Sequence, residues 1–161
     1  PVLSIFQTIP GLVFIGVLYI CWGNTYATVI VALSVYAMFP VLKNTYTGIL
    51  EVEGKYVEAA KGCGMSPLQT LVKVELPLAM PTIIAGLRMS AIYTVSWTVL
   101  AAMIGKGGLG EFVYQGTTSN NNTLILLGAI PAAILAIVFG AVIDLLQKKV
   151  TPKGLRKEAA K

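Results

Sequence analysis

The chain has 161 residues, of which 56% are hydrophobic and only 12% charged, and its mean hydropathy is +0.78. A soluble domain carries about 25% charged residues, so this composition excludes an ordinary water-soluble globule and requires a surface that faces lipid. The net charge of +5 would suggest nucleic acid in a soluble protein, but here it follows from where the charges lie, and the absence of histidine excludes catalysis or metal binding built on imidazole.

Runs such as IPGLVFIGVLYI are apolar at odd and even positions alike, unlike the strands of a membrane barrel, which alternate. The expected fold class is therefore all-α, a polytopic membrane protein. The chain opens at Pro1 in an already apolar context, without Met or a targeting segment. The expectation is that an N-terminal part with at least one further helix precedes it.

A spanning helix needs about 20 largely apolar residues, and four stretches qualify. The first covers residues 3–22, with Pro10 and Gly11 as a kink near its start, and the second covers 25–42, with Pro40 near its end. Gly23-Asn24 between them leaves room only for a tight turn, so the two form an antiparallel hairpin.

Residues 51–77, EVEGKYVEAAKGCGMSPLQTLVKVELP, interrupt the apolar runs. Tyr56, Val57, Ala59, Ala60 and Cys63 make an apolar stripe at helical spacing, with Glu58 and Lys61 on the opposite side. Gly62 and Gly64 weaken that helix, and Gly64 suits a left-handed C-terminal residue. Ser66-Pro67-Leu68-Gln69 restarts it: Ser66 caps, Pro67 fits the first helical position, and Gln69 completes a capping box. Leu68, Leu71, Val72 and Leu76 give the second short helix its stripe, and Pro77 and Pro81 punctuate the entry to the third span. On periodicity alone, an amphipathic loop resting on the bilayer surface is an equal reading.

The third span covers residues 81–104 and contains one charge, Arg88, placed to snorkel toward an interface. The connection GKGGLGEFVYQGTTSNNNT is too polar to span, with Phe112–Tyr114 in a short surface helix, and the fourth span covers 124–146 with Pro131 inside it. Residues 1–150 thus form the transmembrane part, and 151–161, after Thr151-Pro152, a basic tail or linker.

With the 51–77 segment placed in the cytoplasm, Lys43, Lys55, Lys61, Lys73, Arg88, Lys148, Lys149, Lys153, Arg156, Lys157 and Lys161 are inside and only Lys106 is outside, eleven of the twelve Lys and Arg. The positive-inside rule selects this orientation. Cys21 and Cys63 then lie on opposite sides of the membrane, lack metal-ligand spacing, and form no disulfide.

Gly105–Gly110 (GKGGLG) satisfies G-x-G-x-x-G formally. It follows a membrane helix rather than a strand and lacks the acidic residue about 20 positions on, so it reads as a flexible turn. Asn121-Asn122-Thr123 matches a glycosylation sequon. No GxxxxGK[ST] occurs, so the chain does not itself cradle nucleotide phosphates.

Two small-residue faces recur every four positions: Gly86, Ser90, Thr94, Thr98 and Ala102, and Gly128, Ala132, Ala136 and Gly140, continuing to Asp144. Close helix packing is the first reading. The functional alternative is that Ser90, Thr94, Ser96 and Thr98 line a polar translocation path. Trp97, an indole deep in a span, either packs in the core or faces a passing quaternary ammonium group through cation–π contact.

Glu58-Ala59-Ala60, three residues, Gly64, nine residues, Val74, one residue and Leu76-Pro77 resemble the EAA motif of ABC importer permeases, with Val74 where the family has Ile. The segments Gln7-Thr8-Ile9-Pro10, Asn44-Thr45-Tyr46-Thr47-Gly48, Gly107-Gly108-Leu109-Gly110 and Leu127-Gly128-Ala129-Ile130-Pro131 resemble the permeases that import glycine betaine, carnitine and choline. The resemblance covers nearly the whole chain. It implies the type I importer fold with a five-helix core, the first helix missing here, and cytoplasmic coupling helices. It also implies a second permease subunit, identical or related, two ABC ATPase subunits that bind ATP and Mg, and an external substrate-binding protein or fused domain. Glu58, Ala59, Ala60, Gly62, Gly64, Met65, Ser66 and Pro67 would contact the ATPase, and the chain itself would carry no cofactor and no catalytic residue. Another small solute, such as an amino acid or an ergothioneine-like betaine, and a passive channel or scaffold are the alternatives.

Overall fold

The computed structural model describes residues 8–150; Gln7, the beginning of the first expected span, and the basic tail at 151–161 lie outside the described residues. The regular structure is helical: α1 (Gly11–Trp22), α2 (Tyr26–Leu50), α3 (Gly54–Gly62), α4 (Pro67–Thr70), a π-helical turn (Leu71–Glu75), α5 (Leu76–Met103), α6 (Leu109–Thr118) and α7 (Asn122–Val150). Among the described residues, Tyr26–Leu50, Pro67–Met103 and Asn122–Lys149 are long and apolar enough to cross a membrane, whereas Gly11–Trp22 is apolar but shorter. Outward residues such as Ile20 and Ile137 are 83% and 71% exposed, which suits hydrocarbon as the solvent.

Three boundaries differ from the sequence reading. Pro10 does not kink the first helix but precedes it, with φ −58° and ψ 132°. A proline without an N–H cannot extend a helix backwards, while its carbonyl accepts from Val13 and Phe14 at 2.9 and 3.2 Å. The second span does not end near 42 but runs through Pro40 to Leu50, where Asn44 and Gly48 lie in close contact with α5 and packing carries the helix past the end of the apolar run. Nor is the second helix of the polar segment separate: α4, the π turn and α5 are continuous over Pro67–Met103.

The π turn has a local cause. A helical Pro77 lacks an N–H, and its ring would collide with the carbonyl of Lys73, four residues back. One widened turn relieves both problems, and Leu76 N–H accordingly bonds Leu71 O, five residues back.

Contacts divide the chain into two compact units. The first contains the described residues up to Phe39 together with Ser90–Gly140. Its tight hairpin turn uses Gly23 at φ +73°, a conformation natural to glycine. Thr25 Oγ1 accepts from Thr28 N–H at 3.2 Å, and Thr28 Oγ1, fully buried, donates to Gly23 O at 2.9 Å. Ile15, Val29, Ala32, Phe39, Ala101 and Ala102 are buried in this unit.

The second unit contains Pro40–Met89 and the described residues from Ala141 onward. Its buried residues include Ala60, Thr70, Ala79 and Ile84. Here α2 and α5 touch through glycine: a Cβ on Gly86 would lie 2.7 Å from Asn44 Cβ and 2.9 Å from Pro40 O, and one on Gly48 would lie 3.0 Å from Thr82 Cβ.

Candidate functional site

The expected coupling segment sits wholly in the second unit. Its first helix, α3, begins beside an ion pair between Lys55 and Glu53. The Glu53 carboxylate holds the Lys55 ammonium above its ordinary pKa, first through their hydrogen bond, and the Lys55 charge also lies 5.0 Å over the Tyr56 ring.

The helix ends in a full Schellman motif. Gly64 N–H donates to Lys61 O at 2.9 Å and Met65 N–H to Ala60 O at 3.1 Å, with Gly64 at φ +76°. That pair of bonds satisfies the carbonyls a helix end otherwise leaves open. One residue later the capping box closes in both directions: Ser66 N–H donates to Gln69 Oε1 at 2.9 Å, and Gln69 N–H donates to Ser66 Oγ at 3.3 Å. Pro67 stands in the first turn of α4, as expected. A helix stop and a helix start, each made by local bonds, thus meet at Met65-Ser66.

Side-chain exposure in this segment departs from the expected stripes. Only Ala60 of the first stripe is buried; Tyr56, Ala59 and Cys63 are exposed, as are Glu58, Gly62, Gly64, Ser66 and Pro67, while Met65 is half-buried. Of the second stripe, Leu68 is 70% and Val72 53% exposed. Leu68 and Val72 are thus apolar side chains held out on a firmly capped scaffold. Beneath them α3 packs against α4 and the π turn. Thr70 is buried there with its hydroxyl unpartnered among the described residues, a feature without a sequence signal.

The candidate path residues all belong to the first unit, and their hydroxyls are spent on backbone. Thr94 Oγ1 donates to Ser90 O at 2.8 Å, Ser96 Oγ to Ile92 O at 3.2 Å and Thr98 Oγ1 to Val95 O at 2.6 Å, all within α5. Ser90 Oγ alone of these reaches another helix, donating to Ala37 O at 2.7 Å. The face containing it packs, as small residues in membrane helices do.

Trp97 meets Tyr36 at 4.1 Å between ring centres, with the rings tilted by 53°. Tyr36 in turn meets Phe14 and Phe39 edge-on at 5.4 and 5.8 Å and donates its hydroxyl to Ile9 O at 2.8 Å. The indole is therefore a member of an aromatic cluster that joins three helices.

The GKGGLG turn behaves as a turn and as a packing joint. Gly105, Gly107 and Gly108 have positive φ. A Cβ on Gly110 would lie 2.6 Å from Thr98 O, and one on Gly128 would lie 2.6 Å from Leu109 O. Lys106 Nζ donates to Asn24 O at 2.7 Å and sits 4.8 Å over the Tyr26 ring. Lys106, Tyr26 and Thr98 border a cavity of about 260 Å³ whose other walls are chiefly aliphatic. Among the described residues, no group of His, Cys, Asp and Glu could hold a metal ion.

Compared with known proteins, the chain matches the family described as the binding-protein-dependent transport system inner membrane component over residues 1–155. It belongs to that family. Among its relatives, this inner membrane component is 41% identical to the choline transport system permease protein OpuBB of Bacillus subtilis (strain 168), covering 97% of this chain and 72% of that protein. It is 42% identical to the glycine betaine/carnitine/choline transport system permease protein OpuCB of the same organism, covering 95% and 70%. Against the glycine betaine/proline betaine permease protein ProW of Escherichia coli (strain K12) the identity is 33%, covering 98% and 44%. In backbone it is similar to a chain of the MetNI methionine ABC transporter in an inward-facing conformation, with a TM-score of 0.81 at 25% identity over 94% of this chain and 73% of that one. The chain is thus homologous to importer permease subunits, and the all-helical type I importer fold expected from the motifs is the one it has.

Proposed function

We propose that this component is the permease subunit of an ATP-driven importer of small quaternary-ammonium osmoprotectants, the class to which glycine betaine, carnitine and choline belong. It pairs with a second permease subunit and receives solute from an external binding protein. Two ABC ATPase subunits bind the ATP and Mg and dock on the coupling segment from the cytoplasm, the side on which positive charge is concentrated. The chain supplies conformational change rather than covalent chemistry.

The observation that carries the mechanism is the segment from Gly54 to Met103. A docking helix with exposed apolar and small residues ends in a Schellman motif, and a capping box then starts a helix that runs unbroken into a span. Glu58, Ala59 and Gly64 meet the ATPase surface, where small residues allow close backbone approach and Glu58 meets a basic group. Ala60, expected among these contacts, is instead buried against the chain's own second short helix and π turn and is not free to meet a partner. Closure of the ATPase pair then moves α4, and α4 moves α5. The cargo reading rests on the names of the curated relatives, since the same backbone fold also occurs in a methionine transporter.

Reconstitution of the permease with its ATPase and binding protein in liposomes tests the proposal. ATP-dependent uptake of radiolabelled betaine, carnitine or choline is expected, and uptake that proceeds without the ATPase would refute it in favour of a passive channel. The path role of Trp97 is tested separately with Trp97→Leu. In a variant that still assembles, transport is expected to fall, and unchanged uptake with a lowered melting temperature would leave the indole with its aromatic-cluster role alone.

A further inference from the structure

The second unit contains two charges that the coupling segment does not use. Arg88 is the sole charged residue of α5, and Asp144 is the sole acidic residue of α7. Rather than snorkelling away, Arg88 pairs with Asp144, Nη1 to Oδ1 at 3.2 Å, with the side chains 51% and 38% exposed. Ionisable side chains within spans are costly and persist where they pair and where their open side meets water or protein. Packing alone would not require this pair, since two leucines would bury as well; an ion pair instead selects one register between two helices.

A second polar link runs beside it. Gln147 Nε2 donates to Pro81 O at 3.5 Å, and Asp144 and Gln147, three residues apart, share one face of α7. On its other contacts α5 is close-packed on α2 at Gly48 and Gly86. At its start α5 is continuous through the π turn with α4 and the capping box. The capped coupling segment, α5 as far as Met89, and the neighbouring parts of α2 and α7 are therefore fastened within one compact unit.

We propose that Arg88 and Asp144 are a positioning pair that makes α7 follow α5 when the coupling segment moves, so that solute moved per ATP hydrolysed depends on it. This rests on the proposed importer function. Neither residue touches nucleotide; the pair acts by keeping two helices in register while one of them is driven.

The test uses the complete transporter in liposomes, with ATP hydrolysis and solute uptake measured on the same preparation. R88Q and D144N are expected to assemble and hydrolyse ATP while moving about tenfold less solute per ATP, the scale of an ordinary coupling between sites. The charge-swapped R88D/D144R variant is expected to regain most of the wild-type ratio, as reciprocal replacement at a true pair does. Single variants that melt earlier but keep the wild-type ratio would show a purely structural pair and overturn the proposal, as would a swap no better than either single change. Should the single variants fail to assemble, the swap decides alone: assembly with a restored ratio supports the pair, and failure overturns it. A wild-type complex without ATP-driven uptake would instead refute the underlying function, so the two failures are distinguishable.

Discussion

The polar segment at 51–77 and the connection at 104–121 both interrupt apolar helices with glycine, and they put it to opposite uses. In the first, Gly54, Gly62 and Gly64 have open space where a Cβ would go, and the surrounding apolar side chains stand exposed. In the second, Gly110 and Gly116 lie where a Cβ would be 2.6 and 2.7 Å from neighbouring atoms, and both are buried. Every glycine of the first loop is open, while the second joins an open turn at Gly105 and Gly108 to glycines closed by packing at Gly110 and Gly116. Composition does not separate them; what surrounds each glycine does.

The largest expected effect comes from testing the closed loop. In Gly110→Ala the new methyl meets Thr98 O and Val99 Cα, each at 2.6 Å, and these are backbone atoms of α5 that cannot rotate aside. Overpacking of this kind costs about 3 kcal/mol, visible as a lowered melting temperature of the purified permease in detergent. A melt unchanged from wild type would show that this connection is as open as the coupling segment.

Gly64→Val is next. Its φ of +76° is disfavoured for a residue with a branched Cβ by about 1–2 kcal/mol, although nothing crowds the site. The Schellman end should loosen, so ATPase co-purification is expected to fall more than stability does. Gly64→Asn, which tolerates this conformation, should retain the ATPase; equal loss in both variants would mean that side-chain size at the docking face, not backbone geometry, is the constraint.

Ser66→Ala removes the acceptor for Gln69 N–H and should cost about 1 kcal/mol of local helix stability. Faster amide hydrogen exchange at Gln69 and Thr70, with the spans unchanged, checks it. Ser66→Asp keeps an acceptor at the cap and should restore protection.

Much of the coupling segment was legible because its devices are local. Gly64, Ser66, Pro67 and Gln69 act through bonds to residues within a few positions, and short-range chemistry can be read from order alone. The fold class and the glycine-mediated helix contacts were legible for a related reason, since small residues every four positions leave few alternatives in lipid. What escaped was set by long-range pairing or by competition. Leu68 and Val72 follow a core-like period yet face outward, because periodicity identifies a face without saying what covers it. The π turn depended on Pro77 acting on the carbonyl of Lys73, and the Arg88–Asp144 pair and the Tyr36 aromatic cluster join residues far apart in the chain.

The smallest effect sharpens the comparison most. Gly62 closes α3 and has nothing within 4 Å of a new Cβ, so Gly62→Ala should leave the isolated permease as stable as before or raise its stability by about 0.5 kcal/mol through a better helix propensity. If the open space is reserved for an ATPase that approaches the backbone closely, the same methyl should weaken ATPase binding while the melting temperature holds or rises. Titration of the ATPase onto wild-type and Gly62→Ala permease, beside melts of each alone, separates the two. Unchanged affinity would remove Gly62 from the docking face, leaving Glu58, Ala59 and Gly64 to form it. A change of opposite sign in stability and affinity, in contrast to the plain loss of stability expected at Gly110, would distinguish a glycine kept small for a partner from one kept small for the fold.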